Sequence, residues 1–135
     1  MKTTTQQIIS WILRLLAAIL MLQTLFFKFT AAPESVYIFS TLKMEPWGRL
    51  LTGIAELVAS ILILYPSTIA FGALLGLGIM SGAMLSHLLV LGIEIQGDGG
   101  QLFLYAVLVW ISCLMLLLLH KQVLLQILHK WRKAE

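Results

Sequence analysis

Four stretches of this chain stay apolar for longer than a soluble domain of its size can bury, and that pattern leaves few folds open. An α-helix needs about 20 mostly apolar residues to cross a bilayer core roughly 30 Å thick. The candidates run over about 8–29, 47–65, 69–93 and 102–119. In hydrocarbon, backbone N–H and C=O groups must be bonded within the protein, so such spans are helical. The chain has 135 residues, 60% hydrophobic and only 11% charged, with a mean hydropathy of +0.98. A small soluble domain exposes much of its surface and needs more polar residues than that. The sequence therefore predicts one all-α integral membrane domain, a four-helix transmembrane bundle.

The connections carry their own signals. Phe29-Thr30-Ala31-Ala32 offers small residues like those of a signal-peptide cleavage site. Arg14 within the apolar run and Pro33 just beyond argue that the first span is retained. Pro66-Ser67-Thr68 predicts a tight turn, since proline ends one helix and Ser or Thr starts the next. Glu94 to Gln101, with Gly97, Gly99 and Gly100, reads as a turn that breaks both flanking helices. Pro33 to Met44 predicts a short interfacial segment with Val36, Phe39 and Leu42 near helical spacing. The tail 120–135 reads as a basic amphipathic helix, with Leu124, Ile127, Leu128 and Trp131 on one side. It either lies on an anionic membrane surface or continues the fourth span into water.

The formal charge of +3 and the pI near 9.3 do not describe a nucleic-acid surface, because the bases sit at span ends. Lys2, Lys121, Lys130, Arg132 and Lys133 share the side of the termini. Lys28, Lys43 and Arg49 fall on the other side, with Glu34, Glu45, Glu94 and Asp98. Positive-inside counting puts both termini in the cytoplasm. Cys113 is the one cysteine, which excludes intramolecular disulfides, CxxC redox chemistry and cysteine-rich metal sites.

A charge at the bilayer centre costs about 2.5–3.5 kcal/mol and so needs a partner or a purpose. The polar residues fall on single helical faces: Ser10, Arg14 and Lys28 in the first span, Arg49, Glu56 and Ser60 in the second, His87 in the third. The fourth span carries no charge. Such stripes turn inward in a bundle. The Gly72-xxx-Gly76 and Gly78-xxx-Gly82 motifs of the third span predict close packing. By depth, Arg14 can bridge to Glu56 as an ion pair between the first two spans, while Lys28, His87, Glu94 and Asp98 form a second cluster opening outward; which of the two clusters Glu56 joins stays open. The candidate ligand site or buried network is Arg14, Lys28, Glu56, His87, Glu94 and Asp98. Arg14 with Glu56 reads equally as a structural clamp. His87 reads equally as a plain interhelical hydrogen bond, and Glu94 and Asp98 as solvated loop acids. His87 and His120 lie near opposite faces, which excludes a shared haem, and no metal site is expected. GxSxG, HExxH, P-loop and Rossmann motifs are absent, so no catalytic residue is assigned.

The order of these features resembles the DoxX family of small bacterial membrane proteins. Arg14 early in the first span and Lys28 closing it carry the likeness. So do Phe39-Ser40-Thr41-Leu42-Lys43-Met44-Glu45-Pro46, Gly53-Ile54-Ala55-Glu56, Ser86-His87-Leu88 and Gln96-Gly97-Asp98-Gly99-Gly100-Gln101. The likeness covers about 10–119 and departs at Phe27, or its neighbour Leu25, where members often carry glycine near the lysine. It implies a four-helix bundle in the bacterial inner membrane. Some relatives are described as parts of membrane redox systems, including a thiosulfate:quinone oxidoreductase. The expectation is a membrane subunit that binds a quinone-like lipophile near Glu56 and His87, has no intrinsic cofactor and works with a redox partner protein. The alternatives are a non-catalytic lipophile-binding or transport module, as a homo-oligomer, and a structural membrane partner.

Overall fold

The structure is a computed structural model describing residues 3–135; Lys2, one of the bases behind the expected orientation, lies outside them. The described residues form α1 (Thr4–Phe29), α2 (Pro33–Thr41), α3 (Trp47–Leu64), α4 (Ile69–Ser86), α5 (Gln101–Leu119) and α6 (Lys121–Ala134). A 3-10 turn at Pro66–Thr68 joins α3 to α4, and a π turn at His87–Leu91 ends α4. Four helices, α1, α3, α4 with its flanking turns, and α5, are long and apolar enough to cross a membrane. α1 starts at Thr4, earlier than its apolar run, because Thr3 and Gln6 form a reciprocal capping box.

The four long helices make a closed ring in which α1 and α4 each pack between α3 and α5. One end of the bundle holds the start of α1, the Pro66 turn and His120. The other, the loop end, holds the end of α1, α2 and residues 92–100. The interior is lined by small and medium side chains: Ala17 and Met21, Ala59 and Ile63, Ala73 and Met80, Val109 and Cys113. The outer faces of the long helices expose Ile12, Phe26, Leu51, Ile61 and Leu118. A soluble bundle covers its outer faces with polar residues; here the outer faces are as apolar as the interior, which is compatible with hydrocarbon surroundings.

Close packing is local. A Cβ on Gly72 would lie 2.6 Å from the backbone nitrogen of Ile63, and one on Gly76 2.7 Å from Cys113 Sγ. Gly78 and Gly82 have nothing within 4 Å of that position. Of the two glycine motifs, only the first is spent inside the bundle.

Candidate functional site

The expected Arg14–Glu56 ion pair does not form. Arg14 Nε donates to Ile63 O at 2.7 Å and Nη2 to Leu64 O at 2.5 Å. These are orphan carbonyls at the end of α3. Pro66 has no N–H to return to Leu62 O, and the 3-10 turn draws Ser67 and Thr68 off the helical path. The Thr68 hydroxyl takes Leu62 O at 2.8 Å, leaving the next two to the guanidinium. A cation over the negative end of a helix is favoured by the helix dipole as well. The Trp11 ring covers the other side, its centroid 3.7 Å from Arg14 Cζ.

Glu56 pairs instead with Lys28, Oε2 to Nζ, at 2.9 Å. The side chains are 13% and 6% exposed for Lys28 and Glu56, so the pair is largely removed from solvent. Thr24 sits between them: its hydroxyl accepts from Lys28 Nζ at 3.2 Å and lies 3.2 Å from Glu56 Oε2. Glu56 is on α3 about 11 Å along the axis from Ile63, seven residues at 1.5 Å each, and Arg14 cannot serve both levels. The lysine reaches back from the loop end to meet it. This takes Lys28 out of the outward cluster expected with Glu94 and Asp98; among the described residues its ion pair is with Glu56.

Arg49 is not among the expected site residues, yet it is buried and repeats the work of Arg14 at the other end. Its Nη1 donates to Lys28 O, an orphan carbonyl of α1, while Nε and Nη2 hold Glu45 at 2.9 Å. Thus α1 caps α3 and α3 caps α1. The Glu45-xxx-Arg49 spacing, i to i+4, is a readable signal for the ion pair. Nothing in the sequence points to the carbonyl.

His87 is 5% exposed and opens the π turn. Gly92 N donates to His87 O at 2.7 Å, and His87 Nδ1 lies 2.8 Å from Gly92 O. A carbonyl can only accept, so Nδ1 carries the proton. Gly92 has φ +81°, a conformation side-chain-bearing residues rarely adopt, which is why the reversal falls there. Phe103 of α5 meets the His87 ring edge-on at 5.5 Å. Asp98 organises the loop beyond: Oδ1 accepts from Ile95 N at 2.9 Å and Gly100 N at 2.8 Å, and Oδ2 from Leu102 N at 3.2 Å. Burial works against its charge. The three amides, with His87 nearby, prevail and hold the carboxyl below the usual carboxylate range. Glu94 is exposed, with Gly99 N at 3.4 Å from Oε1.

An open groove of about 680 Å³ runs along the start of α1, lined by Ser10, Trp11, Arg14, Leu15, Ile69 and His120 among others. Ser10 Oγ and His120 Nε2 are 3.0 Å apart on its wall. It lies at the Arg14 end of the bundle, opposite the expected opening past Lys28 and Asp98. Its walls are mainly an aromatic ring and aliphatic side chains, with the His120 imidazole at one side and the buried Ser10 hydroxyl and Arg14 guanidinium, both already hydrogen-bonded, close behind. That composition suits the apolar body of an amphiphile. Comparison with protein-family models, curated proteins and solved structures gives no match to this chain.

Proposed function

We propose that this chain is a DoxX-like multi-pass protein of the bacterial inner membrane that binds a quinone-like amphiphile and carries out no chemistry alone. The observation that supports this reading best is the groove at Arg14. It brings Ser10, His120 and the guanidinium beside Trp11 on a bundle whose outer faces are otherwise apolar. A quinone ring would stack on the indole while its oxygens face the polar groups. The chain holds no redox motif, so electrons would come from a partner protein; without one, the same groove makes it a binding or transport module. Both termini are cytoplasmic in this reading, since Lys121, Lys130, Arg132 and Lys133 lie at the groove end. Self-association is part of it, with the Gly78-xxx-Gly82 stripe open to a second copy.

Native mass spectrometry in mild detergent, followed by titration with a short-chain quinone, tests the proposal. The expected result is a retained or titratable quinone whose binding weakens about fivefold in Trp11→Ala. A protein that retains none and binds none sinks it. Glu56→Gln tells two locations apart: it leaves binding at the Arg14 groove intact and abolishes binding at a head-group site beside Glu56 and His87.

One observation favours a second reading, a structural membrane partner. Among the described residues, every buried side-chain nitrogen and oxygen already has a hydrogen-bond partner. If the polar stripe only fixes helix register, no ligand is retained and the variants change stability alone.

A further inference from the structure

α6 leaves the bundle as a helix of its own. His120, at φ −112° and ψ 16°, breaks the chain between α5 and α6, so α6 is not an unbroken extension of the fourth span. No residue of α6 is buried. At 3.6 residues per turn, Val123, Leu124, Ile127, Leu128 and Trp131 share one broad face. That face is open beyond Leu124, which is half-buried where α6 touches α4: Trp131 is 75% exposed and Leu128 61%. Gln122, Gln126, His129 and Lys133 occupy the opposite face, and Lys130 and Arg132 fall near its borders with the apolar one. Lysine and arginine at such borders can extend their charged heads toward phosphates while their stems lie along the apolar surface.

The bare face needs a cover, and the position of the helix says what is nearest. α6 starts two residues after the end of a span apolar enough to cross a membrane, and Ser10 ties His120 to α1 at that end. The helix therefore emerges at the level where lipid head groups would lie. Its charges are Lys121, Lys130, Arg132 and Lys133 against Glu135, a surplus of bases that fits an anionic surface.

We infer that α6 lies flat on the anionic lipid surface of the bilayer that holds the bundle, with Trp131 and Leu128 in the acyl boundary and its bases on lipid phosphates. This rests on the four-span reading proposed above and is independent of any ligand in the groove.

The test uses the full chain with Cys113→Ser and Leu128→Cys, labelled on the introduced thiol with an environment-sensitive fluorophore. It is placed in bilayer nanodiscs of phosphatidylcholine, with or without phosphatidylglycerol. Emission is expected to shift to the blue, and iodide quenching to fall, when phosphatidylglycerol is present. High salt should reverse both changes. Each of Lys130→Gln and Arg132→Gln, on an exposed helix where folding is not at stake, should lower the docked-to-free ratio about fivefold. Equal quenching in both disc types overturns the inference. So does protection that survives loss of both bases, or that appears only in discs holding two copies, which would make a second chain the cover. Protein that enters discs of neither composition breaks the four-span reading, and this inference with it.

Discussion

Arg14 and Lys28 are both cations held on the inner face of α1, and the bundle treats them in opposite ways. Lys28 meets a carboxylate, Glu56, in a largely dry ion pair. Among the described residues Arg14 meets no carboxylate; two backbone carbonyls at the end of α3 and the face of Trp11 surround it. The difference follows from the side chains. An ammonium is a compact charge that asks for a counter-charge, whereas a guanidinium spreads its charge over a plane with five fixed donors. Such a plane can be satisfied by dipoles alone, provided they are already aimed. The end of a helix supplies aimed dipoles, and Pro66 leaves those of α3 unclaimed.

Breaking each arrangement should therefore look different. Arg14→Ala is expected to have the largest effect, a loss of about 4 kcal/mol, from two bonds with a charged donor at about 2 kcal/mol each. Unfolding in mild detergent measures it. Arg14→Lys should recover less than half, because the charge returns without the fork; full recovery would mean that charge alone matters and would erase the contrast with Lys28. Glu56→Gln comes next, at about 3 kcal/mol, since it strands a buried ammonium. Adding Lys28→Met should restore most of that loss, a strong departure from additivity. A double variant as unstable as the sum of its parts would show that the pair is not a local unit.

The smallest effect belongs to Asp98, an anion held as Arg14 is held, by backbone dipoles, here the amides leading into α5. Asp98→Asn should cost about 1 kcal/mol, as for loss of a helix cap. Its carboxyl titrates below the unfolded value in the folded chain, so its stabilisation is complete above about pH 4 and fades as pH falls through the folded pKa. The variant should lack that acid-sensitive component when unfolding is followed from about pH 7 down to about pH 3. An unchanged acid profile would put the pH dependence elsewhere.

The long helices are legible because period and length report apolarity directly: the sequence predicts a span over 47–65 and α3 is Trp47–Leu64. The face of each helix is legible too, since Arg14, Glu56 and His87 are all buried. The partners are not. Matching Arg14 to Glu56 treats charges as able to pair only with charges, and the carbonyls of Ile63 and Leu64 leave no mark in the residue types. Thr24 escapes a sequence reading for a related reason. A threonine inside a span reads as a small polar filler until its position between Lys28 and Glu56 is seen. Among the glycines, spacing alone does not separate Gly72, pressed against α3, from Gly78, which faces open space.

The capping of α3 by Arg14 also bears on how the chain is made. The carbonyls that Arg14 needs lie 49 and 50 residues downstream. At about 5–20 residues per second, the ribosome delivers them roughly 2–10 seconds after Arg14 itself. Through that interval α1 holds a guanidinium whose intended acceptors do not yet exist, and in a membrane it would bear part of the cost of an unpaired charge. α1 is thus synthesised before α3 but completed only with it. In the four-span reading proposed above, α1 would wait for α3 before its guanidinium is satisfied.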